Sequence, residues 1–413
     1  AGVLELAWSQ GLVTWDASSA AWVTPEGEEV AEEDVYERFH DDVLAGIGVR
    51  RFHDDFGPHL PMVDNLAPEL TTIYLDKPLT FTVEDEGTAR SFVDRCEGAS
   101  LKRVDFESGG AEWQVTRPAG SAVRVPRRVA MTRFVGGQIP EGFDPAVYGI
   151  PADLLDSVDR LALWNLVCTI EAFLAAGLSP AELLSHVHPA RVSSTQGTGM
   201  AGQEALRSLY VDKLLAHSRQ HDILQEALPN VIAAHVMQDY VGGYGQMVHP
   251  VAACATAAVS VEEAVDKLRL NKADFVIAGG IDALSMEGIT GFGDMAATAD
   301  SAAMEAKGIE HRFFSRANDR RRGGFVESEG GGTLLLARGS MAAELGLPVL
   351  GVVGFAESFA DGAHTSIPAP GLGALSAARG GADSRLARGL AALGVTADDI
   401  AVVSKHCLLY TSD

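Results

Sequence analysis

The sequence predicts an α/β protein in which helices pack on the buried strands of a sheet. Residues 155–177 carry apolar side chains at helical spacing and end at Gly177, a pattern typical of a helix with one buried face. Residues 274–280 read Asp-Phe-Val-Ile-Ala-Gly-Gly, a continuous apolar run that indicates a buried strand. A helix and a strand of these kinds together favour a layered α/β fold.

The first 125 residues combine short helical and strand patterns and lack a recognisable set of catalytic residues. The predicted elements are a helix at 32–44, a strand at 79–83 and a hairpin of 112–116 with 121–125 around Pro118-Ala-Gly120. The histidines His40, His53 and His59 match no standard metal-ligand spacing. We expect residues 1–125 to form a flanking module that ends in a stretch rich in Gly, Pro and Asp.

Beyond that boundary the sequence predicts further helices and strands. Asp153 is expected to cap the helix that follows Pro151. The other predicted helices cover 203–217, 223–241 with a break at Pro229, and 384–393, and the other strands cover 333–337, 349–353 and 400–404.

The composition excludes several classes of partner and site. The 413 residues carry a net charge of −24, which argues against nucleic acid or an anionic membrane surface, because both would repel the chain. The four cysteines (Cys96, Cys168, Cys254 and Cys407) show no CxxC spacing, so neither a disulfide framework nor a zinc site is indicated. A reducing cytoplasm is the predicted compartment.

No apolar stretch is long enough to predict a membrane span, since even residues 161–177 are interrupted by Asn165 and Glu171. The chain opens on Ala1 without a basic segment, so no secretory signal is predicted. Because an initiator methionine is missing, we expect the sequence to be a fragment of a longer protein.

Cys254 stands in the stretch His249-Pro-Val-Ala-Ala-Cys-Ala-Thr-Ala-Ala-Val-Ser260, near the start of a helix predicted over 255–268. Unpaired N–H groups and the positive end of the helix dipole favour a thiolate there, so we expect this thiol to ionise easily. From the residues alone, Cys254 is either a nucleophile or a small buried hydrophobe, which is the commoner role of a lone cysteine.

The run Arg191-Val-Ser-Ser-Thr-Gln-Gly-Thr-Gly-Met-Ala-Gly202 contains GxGxxG, the phosphate-binding pattern of dinucleotide folds. Asp222 follows at about the required 20 residues. However, residues 193–196 are polar where an apolar strand is needed, and the predicted helix is not followed by a second buried strand. A nicotinamide oxidoreductase built on this loop is therefore the weaker hypothesis.

Two features near the end of the chain leave alternatives open. Residues 311–332 carry five arginines beside Asp319, Glu327 and Glu329; they could bind a phosphate or an acidic carrier protein, but ion pairs with these acids are favoured. His406 follows the strand predicted at 400–404, at the kind of sheet edge where sites gather. A satisfied surface histidine is the other interpretation of His406.

Several long strings resemble the β-ketoacyl synthase (condensing enzyme) segment of type I fatty acid synthases, and the likeness is closest to the actinobacterial form. They include VHPVAACATAAVS, STQGTGM, GFGDMAATAD, FSRANDRRRGGF and SKH, within a resemblance that extends from about Leu66 to His406. The resemblance implies a thiolase-like layered fold with helices around mixed sheets, of which this chain holds the first half and the start of the second. Residues 126–406 would form the truncated synthase domain, and 407–413 an artefactual tail.

The resemblance implies a role for each residue of the active site. Cys254 would be the nucleophile, and His406 would donate a hydrogen bond to the thioester oxygen of the substrate. Met200 and Phe292 would line the acyl pocket, although ordinary core packing is the alternative for Phe292.

Three further residues would support that site. The resemblance implies that Gly197 and Gly199 lie in a loop that lines the acyl channel near a dimer interface. Glu329 would be an acid behind the active site, more a hydrogen-bonding partner than an acid or base. Ala201 stands where the family usually has glycine.

The implied activity is that of a 3-oxoacyl-[acyl-carrier-protein] synthase of fatty acid biosynthesis, which condenses an acyl-cysteine with malonyl-carrier protein and releases CO2. It implies no metal or redox cofactor in this domain, because the phosphopantetheine arm belongs to the acyl carrier protein. The implied partners are that carrier with its acyl and malonyl thioesters, the other domains of the synthase, and a second copy in a homodimer within a larger assembly.

Two other hypotheses remain beside the condensing enzyme. One is another thiolase-fold acyltransferase, such as a thiolase or a polyketide-type synthase, and the other is a non-catalytic structural segment of a megasynthase. Family members continue after SKH with a lysine, a second histidine and a gating loop, which this sequence lacks. We therefore expect the fragment to be inactive alone.

Overall fold

The computed structural model describes residues 3–46, 48–52, 70–106, 110–126, 132–140, 142–207, 209, 223–316, 319–360 and 373–403. They belong to two compact units, one formed by residues 1–55 with 132–413 and the other by residues 56–131. This division differs from the flanking module expected at 1–125. The beginning of the chain belongs to the larger unit because its strand Gly48–Arg51 pairs with Val135–Gln138.

The start of the larger unit is a small sheet covered by two helices. Its elements are α1 (Val3–Ser9), β1 (Thr14–Asp16), β2 (Ala21–Val23), β3 (Glu29–Val30), α2 (Glu32–Ala45) and β4 (Gly48–Arg51). The strands β1, β2 and β3 are antiparallel neighbours. The helix predicted at 32–44 is confirmed as α2, which buries Val35, Phe39 and Val43 at helical spacing.

The smaller unit contains β5 (Leu70–Tyr74), β6 (Leu79–Val83), α3 (Glu86–Asp94), β7 (Ser100–Asp105), β8 (Ala111–Arg117) and β9 (Ala122–Pro126). The strand predicted at 79–83 is confirmed, but the predicted hairpin is wrong. β8 pairs with β6 and β7, whereas β9 pairs with β5. The chain turns toward β5 because the Gly120 N–H donates to the Leu75 carbonyl at 2.7 Å and the Leu75 N–H donates to the Ser121 carbonyl at 3.1 Å.

The rest of the larger unit carries the main core. Its strands are β10 (Val135–Gln138), β11 (Val192–Ser194), β12 (Phe275–Asp282) and β13 (Gly330–Ala337). Its helices are α4 (Ala152–Ser157), α5 (Arg160–Ala176), α6 (Pro180–His186), α7 (Gln203–Arg207), α8 (Ile223–Glu226), α9 (Val231–His235), α10 (Thr256–Arg269), α11 (Met286–Asp294), α12 (Ser301–Ala306), α13 (Gly339–Leu345) and α14 (Arg385–Ala392). After α9 the chain continues as a π-helical segment, Val236–Val241.

The central sheet has the order β11-β12-β13 and lies between helices. β11 is parallel to β12, and β12 is antiparallel to β13 over eight residues, so the sheet is mixed as expected. Alternate residues of β12 face opposite sides: Phe275 and Ile277 pack in the core of α5, while Val276 and Ala278 pack against α10. Burial on both faces explains why β12 reads as a continuous apolar run.

The helix predicted after Pro151 forms as two helices. The backbone of Val158 is extended, with φ −91° and ψ 153°, which ends α4. Asp159 then caps α5 by accepting a hydrogen bond from the Leu161 N–H at 2.8 Å. The predicted cap at Asp153 is therefore wrong for the long helix, since Pro151 occupies the N-cap position of α4 and Asp159 that of α5.

The helices predicted over 223–241 and 384–393 and the strand at 333–337 are confirmed, whereas two other strands are wrong. Residues 349–353 and 400–403 are described without strand structure. Their apolar side chains are exposed, with Leu350 at 94% and Val402 at 81%. A strand needs a hydrogen-bonding neighbour, and no described residue supplies one to these segments.

The polar residues that follow β11 are buried and satisfied. The Gln196 side chain, fully buried, donates from Nε2 to Asn165 Oδ1 at 3.1 Å, to Thr169 Oγ1 at 2.9 Å and to Thr333 Oγ1 at 3.1 Å. Asn165 and Thr169 belong to α5 and Thr333 to β13. This network joins helix and sheet behind the loop that begins at Gly197.

Within the described residues no single helix is both long and apolar enough to cross a membrane; α5 and α6 reach that length only when they are counted together across a 67° bend.

We predict that Gly197→Ala is strongly destabilising. An added Cβ would lie 2.3 Å from the Pro250 carbonyl oxygen and 2.7 Å from Thr256 Cγ2, so backbone must move, at a cost of about 3 kcal/mol. Gly332→Ala is the matched control, since nothing lies within 4 Å of its Cβ position. Urea unfolding measures both variants, and equal free energies of unfolding would contradict the prediction.

We also predict that His235 makes the stability pH-dependent. Its Nε2 lies 3.1 Å from Glu226 Oε1 and its Nδ1 lies 2.8 Å from Asp239 Oδ2. The hydrogen bond with Glu226 is the largest cause that raises the His235 pKa, against a smaller opposing effect of burial. The imidazolium therefore stabilises the fold fully below the unfolded pKa of about 6.5, and this contribution is lost as the pH rises through the higher folded pKa.

The measurement is the free energy of unfolding of the natural chain and of His235→Asn at several pH values from about 5.5 to about 9. We expect the variant to be less stable at the low end and the difference to shrink toward the high end. A difference that does not change with pH would show that His235 acts only through packing.

Candidate active site

The candidate nucleophile lies in a tight turn before α10. Ala253, just before Cys254, has a left-handed φ of +48°, a conformation that costs energy for a residue with a side chain. Thr256 holds the turn, because its hydroxyl donates to the Ala253 carbonyl at 2.7 Å and accepts from the Ala252 N–H at 2.9 Å. Cys254 is thereby presented directly before the first turn of the helix, as predicted.

Cys254 opens into a cavity of about 510 Å³. Its lining includes the apolar side chains of Met200, Ile281, Leu284, Phe292, Phe325 and Val326 and the polar side chains of Asp282, Ser315, Arg316, Arg322, Glu327 and Ser328. A pocket that is largely apolar with a few polar groups is the usual form of a small-ligand site.

The structure brings four predicted site residues together in this cavity: Cys254, Gly199, Met200 and Phe292. The Phe292 ring, on α11, meets Phe325 edge to face with centroids 5.4 Å apart. Met200 lines the same cavity and is 39% exposed. Both side chains are therefore placed where they can contact a group attached to Cys254.

The Cys254 thiol is exposed and unpaired, but its acidity differs from the expectation. Desolvation raises its pKa, its own backbone N–H opposes this, and the negative charge of Asp282 raises the pKa further. The residue faces the cavity, yet surrounding protein atoms displace much of the bulk water. The predicted easy ionisation is therefore wrong for the resting protein, since burial and Asp282 outweigh the backbone N–H.

Gly197 and Glu329 do not line the cavity. Gly197 extends the pairing of β11 with β12: its N–H donates to the Gly279 carbonyl and its carbonyl accepts from the Ile281 N–H, each at 3.1 Å. The Glu329 side chain is fully buried, and its Oε1 accepts from Arg160 Nη2 and from the Ile139 N–H, each at 3.0 Å. Glu329, which directly precedes β13, thus links α5 to the residue that follows β10.

His406, the other predicted catalytic residue, lies outside the described residues, as does the tail 407–413.

The arginine run forms ion pairs, which was the favoured interpretation. Arg316 pairs closely with Asp319, Arg321 lies 3.5 Å from Asp319, and Arg312 lies 3.1 Å from Glu310. The hydrogen bond from Arg316 holds the pKa of Asp319 well below its usual range. Arg316 nevertheless lines the cavity, as does Arg322, so positively charged side chains belong to the lining.

Two carboxylic acids in the cavity were not singled out from the sequence as site residues. Asp282 is the last residue of β12, and burial raises the pKa of Glu327 to about 7. Asp282 could have been found, because it follows the predicted strand 274–280 at its carboxyl end, where sites in α/β sheets gather. No sequence signal distinguishes Glu327 from the other acids near it.

The GTGMAG loop differs from a dinucleotide-binding loop in its strand order and its hydrogen bonds. The parallel neighbour of β11 is β12, which begins far downstream rather than after one helix. The Gly199 N–H and the Met200 N–H, which would have to bind a pyrophosphate, already donate to Asp282 Oδ1 at 3.1 and 3.0 Å. A carboxylate at that position repels a phosphate.

The described residues contain no group of three or more His, Cys, Asp and Glu side chains that could hold a metal ion.

Comparisons with known proteins agree with this arrangement. The family described as β-ketoacyl synthase, N-terminal domain, matches residues 107–342. The ketosynthase FabY from P. aeruginosa has a similar fold, with a TM-score of 0.69 at 21% identity over 89% of this chain and 56% of that chain. At that identity the likeness shows the thiolase-like fold of ketosynthases.

Curated relatives share more of the sequence. The fatty acid synthase subunit alpha of Schizosaccharomyces pombe is 34% identical over 388 residues, which is 92% of this chain and 21% of the relative. The fatty acid synthase alpha subunit stcJ of Emericella nidulans is 34% identical over 412 residues, 98% of this chain and 26% of the relative. This chain therefore spans about a fifth to a quarter of these relatives. They are fungal, and the likeness to the actinobacterial form stays a prediction.

The matched family covers more than half of the chain, including Cys254, and the relatives align with nearly all of it. The predicted resemblance is confirmed, and the chain belongs to the β-ketoacyl synthase family.

Proposed function

We propose that this chain is the condensing domain of a fatty acid synthase, which extends an acyl chain by decarboxylative condensation with a malonyl thioester. The observation that carries the proposal is the position of Cys254. A tight turn before α10 presents this residue to a cavity whose lining includes apolar side chains. The names of the similar alpha subunits support the choice of pathway.

In the first half-reaction Cys254 takes the acyl group from a carrier thioester. The thiol loses its proton, its sulfur attacks the thioester carbonyl carbon, and the carrier thiolate leaves and takes up a proton. The backbone N–H of Cys254 is one donor for the oxyanion. Met200 and Phe292 would contact the transferred acyl chain, because they line the same cavity.

In the second half-reaction a malonyl thioester occupies the cavity. Loss of CO2 leaves an enolate, whose carbon attacks the acyl-cysteine carbonyl and releases the Cys254 thiolate, so a carbon–carbon bond replaces the carbon–sulfur bond. Hydrogen-bond donors at the thioester oxygen stabilise the enolate. We assign His406 as one donor; the described residues that line the cavity include no histidine.

The raised pKa of Cys254 is compatible with this sequence of steps. A resting thiol is less reactive than a thiolate toward oxidants and other electrophiles. The carrier thioester would meet a nucleophile that ionises as the reaction proceeds, helped by the N–H groups at the start of α10. Arg316 and Arg322 line the same cavity and would add positive charge near the developing anions.

The proposal extends to cofactors, partners and compartment. We propose that the domain uses no metal or redox cofactor. The Asp282 carboxylate, which accepts hydrogen bonds from the GTGMAG loop, supports this for nicotinamides. The phosphopantetheine arm would come with an acyl carrier protein, and a homodimer would form. The names of the alpha-subunit relatives support only that the domain is part of a larger synthase. A cytoplasmic location agrees with the unpaired Cys96, Cys168 and Cys254.

We predict that Cys254→Ala in the full-length polypeptide lowers 3-oxoacyl product by about 1,000-fold or more, because the acyl group has no sulfur to receive it. The assay supplies acyl-carrier and malonyl-carrier proteins and follows product by mass spectrometry. Cys168→Ala is the matched control, since Cys168 lies in α5 away from the cavity lining. Equal losses in the two variants would contradict the assignment.

A second prediction concerns the order in which the thiols react. Burial raises the pKa of Cys168 to about 11, whereas Cys254 is exposed in the cavity. Iodoacetamide at about pH 8 should therefore label Cys254 well before Cys168. Peptide mass spectrometry measures both rates, and prior acylation by acyl-carrier protein should protect Cys254 only. Faster labelling of Cys168 than of Cys254 would contradict the assignment of Cys254 as the accessible nucleophile.

A further inference from the structure

Asp282 binds a whole turn of the chain with one carboxylate. Its Oδ1 accepts hydrogen bonds from the Thr198 hydroxyl at 2.8 Å, from the Gly199 N–H at 3.1 Å and from the Met200 N–H at 3.0 Å. The Thr198 hydroxyl in turn accepts from the Ala201 N–H at 3.1 Å. Donors from four consecutive residues, 198–201, thus converge directly or through Thr198 on the end of β12.

The 198–201 turn needs the hydrogen bonds to Asp282 because one of its residues has a strained backbone conformation. Ala201 has φ +59°, in the left-handed region where glycine is favoured and where a side chain is strained. Hydrogen bonds to an ionised carboxylate are stronger than bonds between neutral groups. Asp282 therefore compensates for the absence of glycine at position 201.

The 198–201 turn also packs against the residue that precedes Cys254. A Cβ added at Gly199 would lie 3.0 Å from the Ala253 carbonyl oxygen and 3.1 Å from Asp282 Oδ2. Gly199 is thus enclosed between Asp282 and the residue that precedes Cys254. A shift of the carboxylate would move both the turn that presents the sulfur and the Met200 side chain in the cavity wall.

We propose that Asp282 is a positioning residue that holds the 198–201 turn, places Met200 in the acyl pocket and sets the electrostatic environment of Cys254. The role of Met200 as an acyl contact rests on the proposed function, whereas the effect on Cys254 does not. Asp282 acts through Thr198, Met200 and Cys254 rather than through contact with substrate.

The electrostatic environment of Cys254 depends on the charged side chains that share its cavity. The charged or titratable side chains that line the cavity with Cys254 are Asp282, Arg316, Arg322 and Glu327. Asp282 is the one whose charge raises the pKa of Cys254, in addition to burial. Removal of this charge should therefore make the thiol more acidic.

The test compares three variants of the full-length polypeptide. Asp282→Asn keeps the size of the side chain and removes its charge. Thr198→Val removes the hydroxyl bond but leaves the charge of Asp282. Asp266→Asn removes the same charge from an exposed position on α10 and is the control for net charge.

The first measurement is the rate of Cys254 alkylation by iodoacetamide as a function of pH, which requires no condensing activity. We expect the Asp282→Asn profile to shift to lower pH, with several-fold faster labelling at neutral pH, while Thr198→Val and Asp266→Asn keep the natural profile. An unshifted Asp282→Asn profile, or an equal shift in Asp266→Asn, overturns the electrostatic role.

The second measurement is the preference among acyl chains of different length in single-turnover transfer to Cys254. We expect Asp282→Asn and Thr198→Val to change this preference in the same direction, because both release Met200. If Asp282→Asn does not fold, Thr198→Val alone tests the positioning role. An unchanged chain-length preference in Thr198→Val would overturn that role. If no acyl transfer occurs even in the natural chain, the proposed function fails while the alkylation result still stands.

Discussion

The parallel pairing of β11 with β12 is the interaction on which the rest of the site depends. It continues past the end of β11, because Gly197 exchanges hydrogen bonds with Gly279 and Ile281. That extension brings the loop after Gly197 to the carboxyl end of β12, where Asp282 binds it. The same loop then meets the turn of Cys254, so two distant parts of the chain form one cavity wall.

Close packing at this junction restricts which residues can stand there. A side chain at Gly197 would overlap the backbone of Pro250, and one at Gly199 would crowd Ala253 and Asp282. Behind the loop, Gln196 joins α5 to β13 through buried hydrogen bonds. The glycines of GTGMAG therefore serve close packing and an internal carboxylate here, whereas in a dinucleotide fold they serve a phosphate.

Burial and nearby charges together set the pKa of the Cys254 thiol. The backbone N–H of Cys254 lowers the pKa of the thiol, but burial and the negative charge of Asp282 raise it, and the net shift is upward. Arg316 and Arg322 also line the cavity. Cys254 therefore shares its cavity with side chains of both charges, and its raised pKa favours the thiol over the thiolate.

Periodicity by itself determined α2, β12, β13 and α14, and the motifs located Cys254, Met200 and Phe292, because these signals are local in the chain. Tertiary structure alone decided which strands pair: the expected hairpin of β8 and β9 did not form, and residues 349–353 pair with none of the described strands. It also brought Asp282 and Glu327 into the cavity with Cys254, where burial and Asp282 raise the pKa of the thiol. Strand pairing and desolvation depend on residues far apart in sequence, and no local pattern records which of them will meet.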